Sequence, residues 1–298
     1  FSIIYCSEAT MAHLPSIPQM LLPVMLTLRR GNPPVKETFS LEKSFENVAL
    51  DADHIKQYSA FCGFQNSADF PVTWLYLLAQ RAQIAMMRDG KFPLAAPGMV
   101  HLTNSLEMLQ KPDLSQPVRL ASSVMIEGKP SGSLFPQFRV EVWQASTLVA
   151  VCKSGYIAKR GGGEKSANKS TSPKDEGALP PDSSAFKDGG KIVMPSRIGW
   201  DYAKVSGDFN PIHISGVMAK AFALPDKLAH GWYSVSMFAS VIERIKNMSV
   251  RKIDVQFQKP VLLPNTVALE YSDDGQAQTS FRITSVDKNV VHLLGTVE

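Results

Sequence analysis

Two stretches of this chain are too apolar to be anything but buried helices, and they govern the rest. Val72 to Arg88 carries Trp74, Leu75, Leu77, Leu78, Ile84, Met86 and Met87, with Arg81 its only charge before Arg88. Trp232 to Arg244 is again nearly all apolar. A helix without a polar face must be covered on almost every side. Each stretch is followed by segments able to cover it. After the first, Val100, Leu102, Leu106 and Met108 alternate with mostly polar residues, as do Val118, Leu120 and Val124, and Phe138, Val140 and Val142; Leu148 to Ile157 is a further strand. After the second come Ile253, Val255 and Phe257, then Val267, Leu269 and Tyr271, then Phe281 and Ile283, and last Val290 to Val297. Period-two alternation broken by Gly and Pro turns specifies antiparallel sheet with one buried face.

The elements ahead of the long helices also match. Val35 to Leu50 reads as a strand, Asp51 as the N-cap of a short helix over His54 to Phe61, and Pro71 as the opening of the long one. A short helix likewise precedes Asp208. Gln110-Lys111-Pro112 and Gln258-Lys259-Pro260 fall at matched positions in the two halves, which supports duplication. A chain of 298 residues exceeds the usual single domain. The expected division is a proline-rich N-terminal arm over 1–34, a first domain over 35–160, a linker over 161–190 and a second domain over 191–298. The linker assignment rests on composition: the stretch is rich in Gly, Ser, Lys and Pro, with little to bury.

Composition narrows the function classes. Hydrophobic residues make up 44% and charged residues 19%, ordinary for a globular protein. The net charge of +4 suits a phosphorylated ligand, but no basic stripe interleaved with aromatics points to nucleic acid. Cys6, Cys62 and Cys152 are odd in number and far apart, so neither a disulfide framework nor a zinc site is expected, and a reducing, cytoplasmic setting is. No uninterrupted run of about 18 apolar residues exists, so no membrane span is expected. A start at Phe1, without methionine, leaves a processed leader open.

The chemistry concentrates between Tyr202 and Gly231. Asp208 and His213 form an acid/base pair five positions apart. Asn210-Pro211 between them favours a bend, because the residue before proline is pushed out of the α region. A bent segment of this length can aim both side chains at one point. Gly231 follows His230 at the head of the second apolar helix, where a glycine lets a substrate oxygen approach free backbone N–H groups. One short region thus offers a carboxylate, an imidazole and an oxyanion donor.

Ser206-Gly207-Asp208-Phe209-Asn210-Pro211-Ile212-His213, with Ala229-His230-Gly231, resembles the signature of the MaoC-like, or type 2 (R-specific), enoyl-CoA hydratase family. The resemblance implies an α+β chain of two hotdog domains, each a curved antiparallel sheet wrapped around a central apolar helix. It implies syn hydration of a trans-2-enoyl-CoA to the (R)-3-hydroxyacyl-CoA, or the reverse dehydration. Asp208 and His213 would activate water and Gly231 would hold the thioester oxygen. Ser206 belongs to the signature, Asn210 would hold the loop or the water, and His230 would orient Gly231 or fill space. The substrate would be a thioester of coenzyme A or acyl carrier protein, with no metal and no cofactor implied. A homodimer or larger homo-oligomer is expected. Ser215 and Ala239 stand where family members often carry Asp and Ser, which bears on substrate range and rate. The first half has Cys62 to Asp69 where the signature should fall, with no histidine in reach of Asp69, and is expected to be catalytically silent. His54, His101 and His292 read as structural or surface residues. Two alternatives stay open: a non-catalytic acyl-CoA binding or sensing protein, and a hotdog thioesterase whose helical acid would be Glu243.

Overall fold

The protein is described by a computed structural model over residues 4–6, 11–12, 14–15, 24–65, 70–128, 132–158, 186–272 and 278–298. Its strands are β1 (Ile4–Cys6), β2 (Met11–Ala12), β3 (Phe39–Val48), β4 (Val100–Met108), β5 (Val118–Ile126), β6 (Gln137–Gln144), β7 (Thr147–Ile157), β8 (Phe186–Met194), β9 (Lys252–Phe257), β10 (Asn265–Ser272), β11 (Thr279–Ser285) and β12 (Val291–Val297). Its helices are α1 (Ala52–Cys62), α2 (Val72–Arg88), α3 (Ile198–Ser206), α4 (Pro211–Ile214), α5 (Gly216–Ala221) and α6 (Gly231–Lys246).

The strands form one continuous sheet in the order β1-β3-β5-β6-β7-β4-β9-β12-β11-β10-β8, with β2 also on β3. Reading outward from the centre, β4-β7-β6-β5-β3 in the first half answers β9-β12-β11-β10-β8 in the second. The two halves therefore share one antiparallel topology, and β4 pairs with β9 where they meet. Stepping each residue by the spacing that carries Gln110 onto Gln258 turns Ser105 into Ile253 and Leu106 into Asp254. The register pairs Ser105 with Asp254 and Leu106 with Ile253, so the junction maps onto itself, as a local pseudo-twofold axis requires.

Each half wraps its sheet on its own long helix. Of the 17 residues of α2, 13 are buried, so the helix is covered all round. Of the 16 in α6, nine are buried and one flank stays partly open. Both helices share one apolar core, in which Trp232 of α6 stacks on Tyr76 of α2 at 4.1 Å and donates its indole N–H to the Thr73 carbonyl at 2.9 Å. The Tyr58 hydroxyl of α1 pairs with Ser236 of α6 at 2.7 Å. These contacts set the head of α6 against the first half. No helix among the described residues is long and apolar enough to cross a membrane.

Asp51 caps α1 as its residue type predicts, accepting from the N–H groups of Asp53 and His54. Two assignments change. The linker expectation extends to residue 190, but β8 begins at Phe186; residues 159–185 lie outside the described residues. Along β10 this strand gains a full backbone partner, with Gly189 as the extra residue of a bulge opposite Leu269 and Glu270. Only Ile192 and Met194 of β8 are buried apolar side chains, so its composition hides a strand held by pairing. Two short segments of the N-terminal arm also join the sheet, β1 and β2 running parallel to β3. Arg30, further along, donates to the carbonyls of Met87, Arg88 and Phe92 and so satisfies the end of α2.

Candidate active site

The segment after α3 is bent by its own side chains. Gly207 ends α3 in the left-handed region at φ 77°, which glycine adopts without a Cβ penalty. The Ser206 hydroxyl donates to the Tyr202 carbonyl at 2.8 Å and accepts the Asp208 N–H at 3.1 Å. The Asp208 carboxylate takes the Asn210 N–H at 3.1 Å, and Asn210 in turn caps α4, where Pro211 is the first helical residue. This chain of local bonds carries His213 back towards Asp208.

The bonds of His213 and His230 define their tautomers. A carbonyl can only accept, so the 2.9 Å contact of His213 Nδ1 with the Leu228 carbonyl puts the proton on Nδ1 and leaves Nε2 with a lone pair. His230 donates from Nε2 to the Asp208 carbonyl at 2.9 Å, leaving Nδ1 buried and unpaired. The two imidazoles stack with centroids 3.9 Å apart. One carboxylate oxygen and one nitrogen from each ring lie within 4.8 Å of one another. Two groups that each bond the same water at about 2.8 Å stand about 4.5–5 Å apart, so the spacing suits a shared water.

Burial pushes the Asp208 carboxyl up, but His230, His213, the Gln80 amide and the Asn210 N–H outweigh it and hold the group below its ordinary range. Burial lowers His213, against the pull of the Asp208 carboxylate. Burial, reinforced by His213, brings His230 down to about 3. The pair therefore presents an ionised carboxylate beside a neutral imidazole at neutral pH.

His230 is the N-cap of α6 and gives that helix no side-chain cap, so the first-turn amides depend on other partners. Gly231 opens the helix against the ring of Phe257. A Cβ there would lie 2.7 Å from Phe257 Cε1, so only glycine fits without displacement.

All six residues singled out in the sequence, Ser206, Asp208, Asn210, His213, His230 and Gly231, fall in this one region. Three others join it unforeseen. Gln80, on α2 of the other half, donates to Asp208 at 2.8 Å. His101 stacks on Tyr156 with ring centroids 4.5 Å apart, and its ring centroid lies 4.9 Å from that of Phe257 and 5.9 Å from that of Tyr76; burial pulls it to about 4. Phe257 covers Gly231. Gln80 and His101 have no neighbouring motif in sequence, and the Gln258-Lys259-Pro260 that follows Phe257 marks the duplication rather than the site. Glu243 accepts the Val250 N–H at the far end of α6, roughly 18 Å from Gly231 at 1.5 Å per residue, too distant to serve as a thioesterase acid beside that amide. Asp69 lies outside the described residues.

The depressed histidines predict acid sensitivity. An unfolded chain protonates His101 and His230 below about 6.5. The native chain leaves them neutral down to about 4 and about 3. Stability should therefore fall as pH drops from 6.5, by roughly 2 kcal/mol per residue at pH 5. Urea midpoints at pH 7, 6 and 5 read this directly, and His230→Gln should flatten the slope; an unchanged slope would contradict the assignment.

Residues 193–295 match the family model of the MaoC-like domain. A 3-hydroxyacyl-thioester dehydratase X of Mycobacterium tuberculosis (strain ATCC 25618 / H37Rv) is 26% identical over 260 residues, which span 85% of this chain and 87% of that protein. The crystal structure of HtdX from Mycobacterium tuberculosis superposes with a TM-score of 0.67 at 22% identity, covering 86% of this chain and 99% of that one. A conserved protein of Mycobacterium tuberculosis described as a double hotdog fold superposes with a TM-score of 0.57 at 11% identity, covering 90% and 98%. The fold is accordingly the double hotdog.

Proposed function

We propose that this chain, whose residues 193–295 match the MaoC-like domain model, is a hydro-lyase that interconverts a trans-2-enoyl thioester and its (R)-3-hydroxyacyl thioester. The curated relative is a 3-hydroxyacyl-thioester dehydratase, which supports the reaction class. The observation that carries the reading is the convergence of the Asp208 carboxylate and a neutral His213 beside the uncapped head of α6.

In the hydration direction, water lies between Asp208 and His213. His213 Nε2 takes a proton as the oxygen adds to C3, and the Asp208 carboxylate offsets the imidazolium charge. The electron pair of the double bond moves towards the thioester oxygen, where the Gly231 N–H receives the charge, an effect worth about 3–4 kcal/mol. The imidazolium then returns its proton to C2, which regenerates the base. Both additions come from one face, so the product is the syn adduct. The sum is one water added across C2 and C3; dehydration is the reverse.

We include in the proposal a carrier of coenzyme A or acyl carrier protein, a homo-oligomeric state, and a cytoplasmic setting, which the buried free thiols Cys62 and Cys152 suit. The deciding measurement follows loss of enoyl absorbance on a series of trans-2-enoyl-CoA chain lengths, with product chirality read by an (R)-specific dehydrogenase. Saturable turnover to the R alcohol is expected. Binding without turnover at any length would favour a sensor, and release of free thiol from acyl-CoA would favour a thioesterase.

A further inference from the structure

Among the described residues the first half holds no cluster of carboxylate and imidazoles like Asp208, His213 and His230, yet it reaches that cluster. Tyr76, Gln80 and Gln83 stand at i, i+4 and i+7 on α2 and form a polar stripe on a helix that is otherwise core. Each member has a partner. Tyr76 approaches His101 Nδ1 at 3.4 Å. Gln83 donates to the Ser154 hydroxyl at 2.8 Å and accepts from Tyr156 at 2.9 Å. Gln80 crosses to the other half and donates to Asp208 Oδ2 at 2.8 Å. An ionised carboxylate only accepts, so the amide nitrogen must face it.

The Gln80 amide is only partly buried, and it pairs within the protein rather than turning to solvent. Its partner is the carboxylate whose second oxygen already takes the Asn210 N–H. The two donors come from opposite sides, one local and one from the other domain, and together restrict rotation of the carboxyl group.

We propose that Gln80 is a positioning residue for Asp208, through which the first half orients the carboxylate of the second. The kinetic consequence rests on the hydro-lyase reading; the positioning itself does not. The other titratable groups facing Asp208 are His213 and His230 of its own half, Tyr202 of α3, and Tyr76, His101 and Tyr156 from the first half. The phenols and His101 are all held neutral by burial, so Gln80 is the donor that the first half aims at the carboxylate.

The test uses the full chain with carbon-13-labelled aspartate, the Asp208 signal being identified by its loss in Asp208→Asn. Gln80→Met keeps the length and removes the donor. Gln80→Glu keeps size and polarity but sets a second acid against the first. The carboxyl midpoint should rise by about one pH unit in Gln80→Met and further in Gln80→Glu, since a hydrogen bond to a charged group is lost. The acid limb of the kcat profile should move with it, with kcat down about tenfold and KM within about twofold, the pattern of a positioning loss. A midpoint unmoved in both variants would overturn the proposal and leave Gln80 a packing residue. If Gln80→Met does not fold, Gln80→Glu gives the same readout. A shifted midpoint in a chain that turns over no enoyl thioester would sustain the role of Gln80 and remove the hydro-lyase reading.

Discussion

Asp208→Asn should lower kcat for enoyl-thioester hydration by about 10²–10⁴-fold while leaving the fold intact. The substitution removes the charge and nearly nothing else. The Asn oxygen can keep the Asn210 N–H, and the Gln80 amide can turn to present its oxygen to the new NH₂. The Ser206 bond to the residue 208 N–H is untouched. What disappears is the negative charge that would offset a protonated His213. His213→Ala should cost a similar factor, because it removes the Nε2 lone pair and the bond to the Leu228 carbonyl. The double variant should be little worse than either single one, since groups that act as a unit are not additive. Stopped assays with urea midpoints as the control check all three. Wild-type rates in either single variant, or losses that multiply in the double, would sink the shared-water mechanism.

Gly199→Ala should act on His213 from a position that no motif marks. Gly199 lies in the first turn of α3, and a Cβ there would collide with the backbone carbonyl of His213. A backbone atom cannot swing aside as a side chain can. The element that must yield is α4, four residues long, rather than the longer α3. Overpacking of this kind costs about 1–3 kcal/mol of stability. A shift of about 1 Å in a catalytic group costs about 10²-fold in rate. Gly216→Ala is the matched control: its Cβ would meet the Asp226 carboxylate, an exposed side chain that bonds the adjacent Lys227 N–H and can give way more readily than backbone, so less than about twofold change is expected. A Gly199→Ala enzyme with normal kcat would show that α4 tolerates displacement.

Duplication and fold class were legible because their causes are periodic. Helices with no polar face and strands of period two each carry a local signal, and each appears twice along the chain. The Asp208–His213 block was legible for a related reason: its bend is made by Asn210, Pro211 and Gly207, residues whose backbone preferences are their own. β8 was not legible, since a Gly- and Lys-rich edge strand is held by main-chain bonds to β10 that side chains do not announce.

Sequence by itself therefore determined which segments would be buried, how they repeat, and which carboxylate and imidazole share one bent loop, because all of these follow from properties of residues close together in the chain. Tertiary structure alone decided that β4 would meet β9, that α2 would lie beside the head of α6, and that Gln80 would reach Asp208 across 128 positions. Those outcomes depend on how one continuous sheet closes about two helices in a shared core, and no property of a short segment encodes which distant surface it will be packed against.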